Sequence, residues 1–239
     1  MRIVAIVQAR LDSRRLPGKV LRPMAGRPML AHVFEALRRA RALDGAVLAT
    51  SRRAVDDPIA AFARAEGIVC HRGPLDDVAA RLLAAARAES ADALVRISGD
   101  SPLMDPALVT RAAGELRADA ALDLATNVFP RAYPKGMSVE AIRTAALARA
   151  VARMTRAEER EHVTPHFYAN PAAFRIVGFA PERPRPDLQL SVDTAEDFAR
   201  CEAILAALGD RVRTDGWEAC AAAAASDDYR LAGANQRLQ

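Results

Sequence analysis

Residues 8–19 read Gln8-Ala9-Arg10-Leu11-Asp12-Ser13-Arg14-Arg15-Leu16-Pro17-Gly18-Lys19, a run whose residue types suit a phosphorylated ligand. Pro17-Gly18 spells a tight turn, and small residues with free backbone N–H groups let phosphate oxygens approach closely. Arg10, Arg15 and Lys19 add charge, Arg as a planar fork and Lys as a point charge. Lys19 is followed by Val20, so this is not a Walker A loop, and it is not GxGxxG either. A basic surface loop with a structural Pro-Gly turn accounts for the same residues, so on spacing alone both readings stand.

Two acids complete the chemistry. Asp100 follows Ser98-Gly99, and Asp193 follows Val192, each at the end of an apolar run. One or two carboxylates plus substrate phosphates are the usual means of holding Mg²⁺. An Asp in such a place often just caps the next helix. Here Asp105 before Pro106, and Thr194, are already suited to those caps, which leaves Asp100 and Asp193 for another task. His162 and His166 stand four residues apart, but HVTPH lacks the Glu of HExxH and carries Pro165, so zinc is not expected there. No GxSxG elbow or Cys-His pairing is present.

The elements that must position these groups follow from periodicity. Apolar runs alternate with amphipathic stretches, the pattern of βαβ units and a mostly parallel sheet in an α/β fold. Strands are expected at 2–8, 47–50, 68–71, 94–98, 122–126, 138–142, 174–179 and 188–192. Helices are expected at 28–42, from 56, at 76–89, from 106, at 158–168 and from Thr194, where Thr194-x-x-Asp197 resembles a capping box. The first strand is nearly all apolar, as a strand covered on both faces must be. In open α/β sheets ligands sit beyond the carboxyl ends of the strands. The basic loop, Asp100 and Asp193 are all expected at that edge.

Composition sets the outer bounds. With 239 residues, half of them apolar, the chain can bury a core without staples. Its net charge is +4, and between residues 10 and 27 six basic side chains face the single acid Asp12. A compact basic loop with few interleaved aromatics suits a small polyanion better than nucleic acid. Cys70, Cys201 and Cys220 form neither a disulfide framework nor a metal knuckle, which points to a reducing, cytoplasmic setting. The first apolar run is too short for a signal-peptide core, and no stretch approaches a membrane span.

Taken in order, QARLDSRRLPGKVL, LATSRRAVDD, HRGPLDDV, VRISGDSPLMDP, YPKGMSVEAI, REHVTPHFY and SVDTAEDF resemble the cytidylyltransferases of the spore-coat polysaccharide SpsF type. These are related to the acylneuraminate and 3-deoxy-manno-octulosonate cytidylyltransferases, and the resemblance runs over about residues 1–208. It implies a three-layer Rossmann-like nucleotidyltransferase fold, GT-A-like, with residues 209–239 as a helical extension and tail packed on the same domain. It implies transfer of CMP from CTP to an acidic or otherwise activated sugar, with Mg²⁺ as cofactor and pyrophosphate as product. Gln8, Ala9, Arg10, Arg15 and Lys19 would form the nucleotide loop, and Arg72 and Asp77 of RGxxxDV would lie beside it. Asp100 and Asp193 would hold the metal, while Glu140, Arg160 and His162 would face the acceptor. A homodimer is allowed; nucleic acid and membrane are not expected as partners.

The chain departs from the family at Asp12, usually Gly, and Arg14, usually Thr or Ser. Ser138 replaces the usual Asp of GLDVE, and Gln189-Leu190 replace an Arg-Trp pair. Three other readings stay open at this point. They are a nucleotidyltransferase for another base, a sugar-nucleotide-dependent glycosyltransferase of similar fold, and a non-catalytic nucleotide-binding protein.

Overall fold

The apolar run that opens the chain forms β1 (Ile3–Gln8), and its residues 3–7 are fully buried. A computed structural model describes residues 1–226. Side chains alternate across a strand, so Ile3, Ala5 and Val7 enter one hydrophobic cluster and Val4 and Ile6 enter another. β1 therefore needs cover on both faces and parallel neighbours on both edges. Those neighbours are β4 (Gly45–Ser51) and β6 (Ala93–Ser98), with β5 (Cys70–Gly73) parallel outside β4.

Beyond β6 the direction changes. β8 (Glu140–Arg143) runs antiparallel to β6 and to β7 (Leu124–Thr126), and β9 (Ile176–Gly178) lies parallel to β7. The seven-stranded order is β5-β4-β1-β6-β8-β7-β9. The small ribbon of β2 (Pro23–Met24) and β3 (Arg27–Pro28) stands apart.

Helices cover both faces and give three layers. The cluster of Ile3 and Val7 also takes side chains from α1 (Met29–Arg39), α2 (Asp57–Ala65), α4 (Pro106–Ala118) and α8 (Ala195–Leu208). The opposite cluster draws on α3 (Val78–Ala88), α5 (Thr144–Arg153) and the short α6 (Ala157–His162) and α7 (Pro165–Ala169) neighbourhood through Val163 and Phe167. α9 (Arg211–Thr214) and α10 (Gly216–Ala225) follow, and Trp217 packs edge-on to Tyr133 with ring centroids 5.3 Å apart. Its backbone N–H donates to Asp105 Oδ2 at 2.9 Å. The part of the expected 209–239 extension beyond 226 lies outside the described residues.

Three expectations are corrected. The helix expected over 158–168 is two short ones, α6 and α7, separated at Val163, whose φ is +67°. Pro165 cannot donate to the preceding turn and crowds it, so the helix restarts there. No strand forms over 188–192; that segment makes one isolated bridge, Lys135 with Gln189, because Pro184 and Pro186 precede it and its other backbone groups serve as clamps. α5 was not anticipated, since its buried stripe of Ala146, Leu147 and Ala150 is mostly alanine and gives little periodic contrast.

Candidate active site

The basic loop leaves β1 at Gln8 and is fastened at its base. Ala9 N–H donates to the Ala49 carbonyl at 3.2 Å, and Thr50 Oγ1 donates to the Ala9 carbonyl at 2.9 Å. Leu11 N–H donates to the fully buried Asp56 at 2.7 Å. Gly18 N–H closes the loop on the Leu11 carbonyl at 2.8 Å, with φ +73°, a left-handed conformation that favours glycine. A 3₁₀ turn then returns Lys19 to the sheet edge. Between these fastenings the N–H groups of Arg10, Asp12, Arg14 and Arg15 have no protein acceptor among the described residues, as an anion cradle requires.

Lys19 is buried, and three oxygens converge on its ammonium. Asp100 Oδ2 lies at 3.3 Å, Asp193 Oδ1 at 3.4 Å and the Val192 carbonyl at 2.5 Å. Val192 N–H donates to the Asp100 carbonyl at 2.9 Å, which ties the two acidic segments together. Gly99 lets the end of β6 close on the end of β1: a Cβ there would stand 3.0 Å from both the Ala9 Cβ and the Gln8 carbonyl. Neither acid is a cap. Asp105 caps α4 through Ala107 N–H, and Thr194 with Asp197 forms the box that starts α8.

The carboxylates of Asp100 and Asp193 keep 27% and 32% of their surface, so a ligand can reach them. Two carboxylates and a carbonyl around one cation are hard oxygens, and this donor chemistry fits Mg²⁺. Among the described residues no cluster of three or more His, Cys, Asp or Glu could hold a metal. Lys19 is bound to both acids, and Arg15 pairs with Asp193 at 2.9 Å.

A cleft of about 690 Å³ gathers Gln8, Ala9, Arg10, Arg15, Lys19, Asp100, Asp193 and His162. Its walls also include Arg81 and Arg96, which the sequence reading missed. Arg96 interrupts an otherwise apolar strand, a signal that was available. It sits directly opposite Glu140 in the β6–β8 ladder, pairs with it at 2.8 Å, and donates to Gln8 Oε1 at 3.0 Å. Arg81 occupies the buried face of α3, donating to the Pro74 carbonyl at 2.5 Å and the Leu75 carbonyl at 3.1 Å, with its Nε buried and unpartnered. Burial, reinforced by Arg10, holds its pKa below the ordinary arginine value.

A second cavity of about 380 Å³ adjoins the first, and Gln8, Arg96, Ser98 and His162 line both. Glu140 lines it, but its oxygens already accept from Arg96 and from the Tyr168 hydroxyl at 2.9 Å. Burial, then Glu140, pushes that hydroxyl's pKa far upward. Arg72, Asp77 and Arg160 line neither cavity. Arg72 is held by Asp57 at 2.7 Å and by the Ser51 and Arg53 carbonyls. Asp77 caps α3 through Ala80 N–H at 2.8 Å and pairs with Arg160 at 2.6 Å. The Arg160 fork assigned to the acceptor is thus occupied in bracing α6 against α3.

A family model described as Cytidylyltransferase matches residues 4–213. The chain is 31% identical over 218 residues to the spore coat polysaccharide biosynthesis protein SpsF of Bacillus subtilis, covering 87% of this chain and 88% of that protein. Over 115 residues it is 41% identical to the 3-deoxy-manno-octulosonate cytidylyltransferase of Trichlorobacter lovleyi, covering 47% of this chain and 44% of that enzyme. The solved structure of a cytidylyltransferase from Leptospira borgpetersenii superposes with a TM-score of 0.83 at 28% identity, covering 87% of each chain. These matches place the chain in the cytidylyltransferase family.

Proposed function

We propose that this chain transfers CMP from CTP to a sugar acid, releasing pyrophosphate, in the assembly of a surface polysaccharide precursor. The observation that carries this reading is the junction of the two cavities. The basic loop and the acids bound to Lys19 lie on one side of Gln8, Arg96, Ser98 and His162, and a second chamber opens on the other. An acceptor hydroxyl oxygen attacks the α-phosphorus there; a P–O bond forms to it, its O–H bond breaks with the proton passing to solvent water, the α–β bridging P–O bond breaks, and pyrophosphate leaves opposite.

The protein's share is positioning and charge. The open N–H groups of the loop, with Arg10 and Arg15, receive the β- and γ-phosphates and offset the charge that grows on the leaving group. Arg15 exchanges Asp193 for phosphate as it does so. Asp100 and Asp193 would hold Mg²⁺, which when bound polarises the α-phosphate as a Lewis acid. Arg96, fixed between Gln8 and Glu140, holds the wall at which donor and acceptor meet. A cytoplasmic location fits the use of CTP, and no helix among the described residues is long and apolar enough to cross a membrane.

Pyrophosphate release, with CTP, UTP, GTP and ATP each offered with sugar acids, tests the reading. CTP alone should support release, and only with divalent metal. Equal release with all four nucleotides overturns the cytidine assignment, and release of free nucleoside diphosphate from a sugar nucleotide would establish glycosyl transfer instead.

A further inference from the structure

One face of the central sheet changes character within two residues. On it Val4, Leu94, Ile142 and Leu124 form a cross-strand row, all buried in the cluster that α3 and α5 cover. Residues two apart share a face of a strand. The next row on that face is therefore Ile6, Arg96, Glu140 and Thr126, with Gln8 beside Ser98 beyond it. Of these six side chains Ile6 alone is apolar. The change falls at the wall between the two cavities, and Gln8, Arg96 and Ser98 line both of them.

The polar groups of this wall fix one another. Thr126 Oγ1 accepts from Val128 N–H at 3.1 Å and lies 3.2 Å from the Tyr168 hydroxyl, which donates to Glu140 Oε1 at 2.9 Å. Glu140 Oε2 accepts from Arg96 Nη1 at 2.8 Å, and Thr164 Oγ1 accepts from the same nitrogen at 3.4 Å. Arg96 Nε donates to Gln8 Oε1 at 3.0 Å. A guanidinium only donates, so the amide oxygen of Gln8 must face it and the amide NH₂ must face away. That NH₂ and Arg96 Nη2 have no acceptor among the described residues, and both remain open to solvent. Two donors, each held from behind, are thus left free at the shared wall.

Stability alone gives this arrangement little reason to exist, because burying an ion pair costs about as much as its attraction returns. Glu140 neutralises Arg96, so the wall presents an oriented dipole, positive end at Nη2, rather than a free cation. Fixed donors of this kind act most strongly where charge develops during a reaction.

We propose that Arg96 is a catalytic residue whose Nη2, together with the Gln8 amide, donates to one non-bridging oxygen of the α-phosphoryl group as the acceptor attacks. Glu140 and Tyr168 are positioning residues that hold it there. This rests on the CMP-transfer reading above and adds to it a protein-borne site for the charge that develops at phosphorus. The acceptor oxygen bonds to phosphorus and gives its proton to solvent water, and the α–β bridging bond breaks as pyrophosphate leaves. Between those events the non-bridging oxygens carry added charge, which the two donors meet.

The test uses the full chain with Mg²⁺ and whichever of 3-deoxy-manno-octulosonate, N-acetylneuraminate and glucuronate wild type turns over best. The donors are CTP and its two analogues with sulfur in place of one or the other non-bridging α-oxygen. Sulfur accepts hydrogen bonds poorly, so it reports which oxygen a donor touches. Arg96→Lys keeps a charge opposite Glu140 but loses the fork. It should lower kcat roughly 10²- to 10³-fold while leaving the KM for CTP nearly unchanged. Sulfur at one position should slow wild type and no longer slow this variant, whereas sulfur at the other should act alike on both. Gln8→Met leaves the Arg96–Glu140 pair in place; it should lower kcat about ten-fold and shrink the same sulfur effect. If Arg96→Lys does not fold, Gln8→Met decides alone. A kcat within about threefold of wild type in a folded variant overturns the proposal. So do sulfur effects that survive unchanged at both positions, or a loss expressed only in CTP affinity. Wild type that fails to bind CTP, or binds it and releases pyrophosphate with none of the acceptors, overturns the transfer reading itself, so the two failures are told apart.

Discussion

The two halves of the cleft are built differently. On the side of the basic loop the groups come mostly from the loop leaving β1, the end of β6 and Asp193, with Arg81 added from α3, and the Val192 backbone and the Lys19 ammonium tie Asp100 and Asp193 together. On the acceptor side the groups come from the 127–138 loop, the start of β8, and the broken helix pair α6 and α7. Parallel strands covered on both faces hold their ends rigidly, whereas loops tolerate substitution. The departures do not follow this division: Asp12 and Arg14 lie in the loop leaving β1, Ser138 lines the second cavity, and Gln189 donates to Ser191 and Asp193.

The largest test of that contrast is Asp100→Asn or Asp193→Asn. Each removes a hard anionic ligand from the nucleotide half with little change in shape. Turnover should fall by at least about 10²- to 10³-fold, the scale of losing one organised electrostatic contact at a reacting centre. The melting temperature should fall only modestly, because neither acid caps a helix and Lys19 keeps its other carboxylate and the Val192 carbonyl. Near wild-type rates at limiting Mg²⁺ would take the metal away from these residues.

Lys19→Met comes next. It removes a buried ammonium from between two carboxylates, and uncompensated buried charge is costly. Because both acids retain solvent contact, a loss of about 1–3 kcal/mol is expected, below the range for fully buried pairs. The variant should gain more melting temperature from added Mg²⁺ than wild type does, since the ion can then replace the ammonium. Equal gains would show that the metal binds elsewhere.

Arg160→Ala sharpens the contrast from the other side. Its guanidinium pairs with Asp77 at partial exposure, so the loss should be about 0.5–1 kcal/mol of stability, with acceptor KM unchanged. A large rise in acceptor KM would return Arg160 to the acceptor site.

The smallest effect is a pH dependence on the acceptor frame. Glu159, at the start of α6, has its pKa lowered from 4.5 to about 2, first by accepting from His166 and then by the Arg156 N–H. A depressed carboxylate stabilises the fold above its unfolded pKa, and that contribution drains away as pH falls from about 4.5 to about 2. The melting-temperature gap between wild type and Glu159→Gln should be open at pH 6 and close across that window. A gap independent of pH would mean that the carboxylate charge does not matter there.

Much of this was legible along the chain. Short apolar runs and amphipathic stretches identified most strands and helices. The caps at Asp105 and Thr194 were readable from a few neighbouring residues, and so freed Asp100 and Asp193 for another task. The basic character of the loop leaving β1 and its Pro17-Gly18 turn followed from its own composition. These are local properties, set by backbone sterics and by which face of one element must be buried. What the tertiary structure decided was which distant residues meet. The reversal at β8 puts Glu140 opposite Arg96 and turns a charged strand residue into the wall between two chambers. Long-range packing gave the Arg160 fork to Asp77. It also placed Lys19 between the two acids. An ionisable side chain's role depends on which partner reaches it first in three dimensions, and pairings such as the 83 residues between Asp77 and Arg160 leave no periodic trace in the sequence.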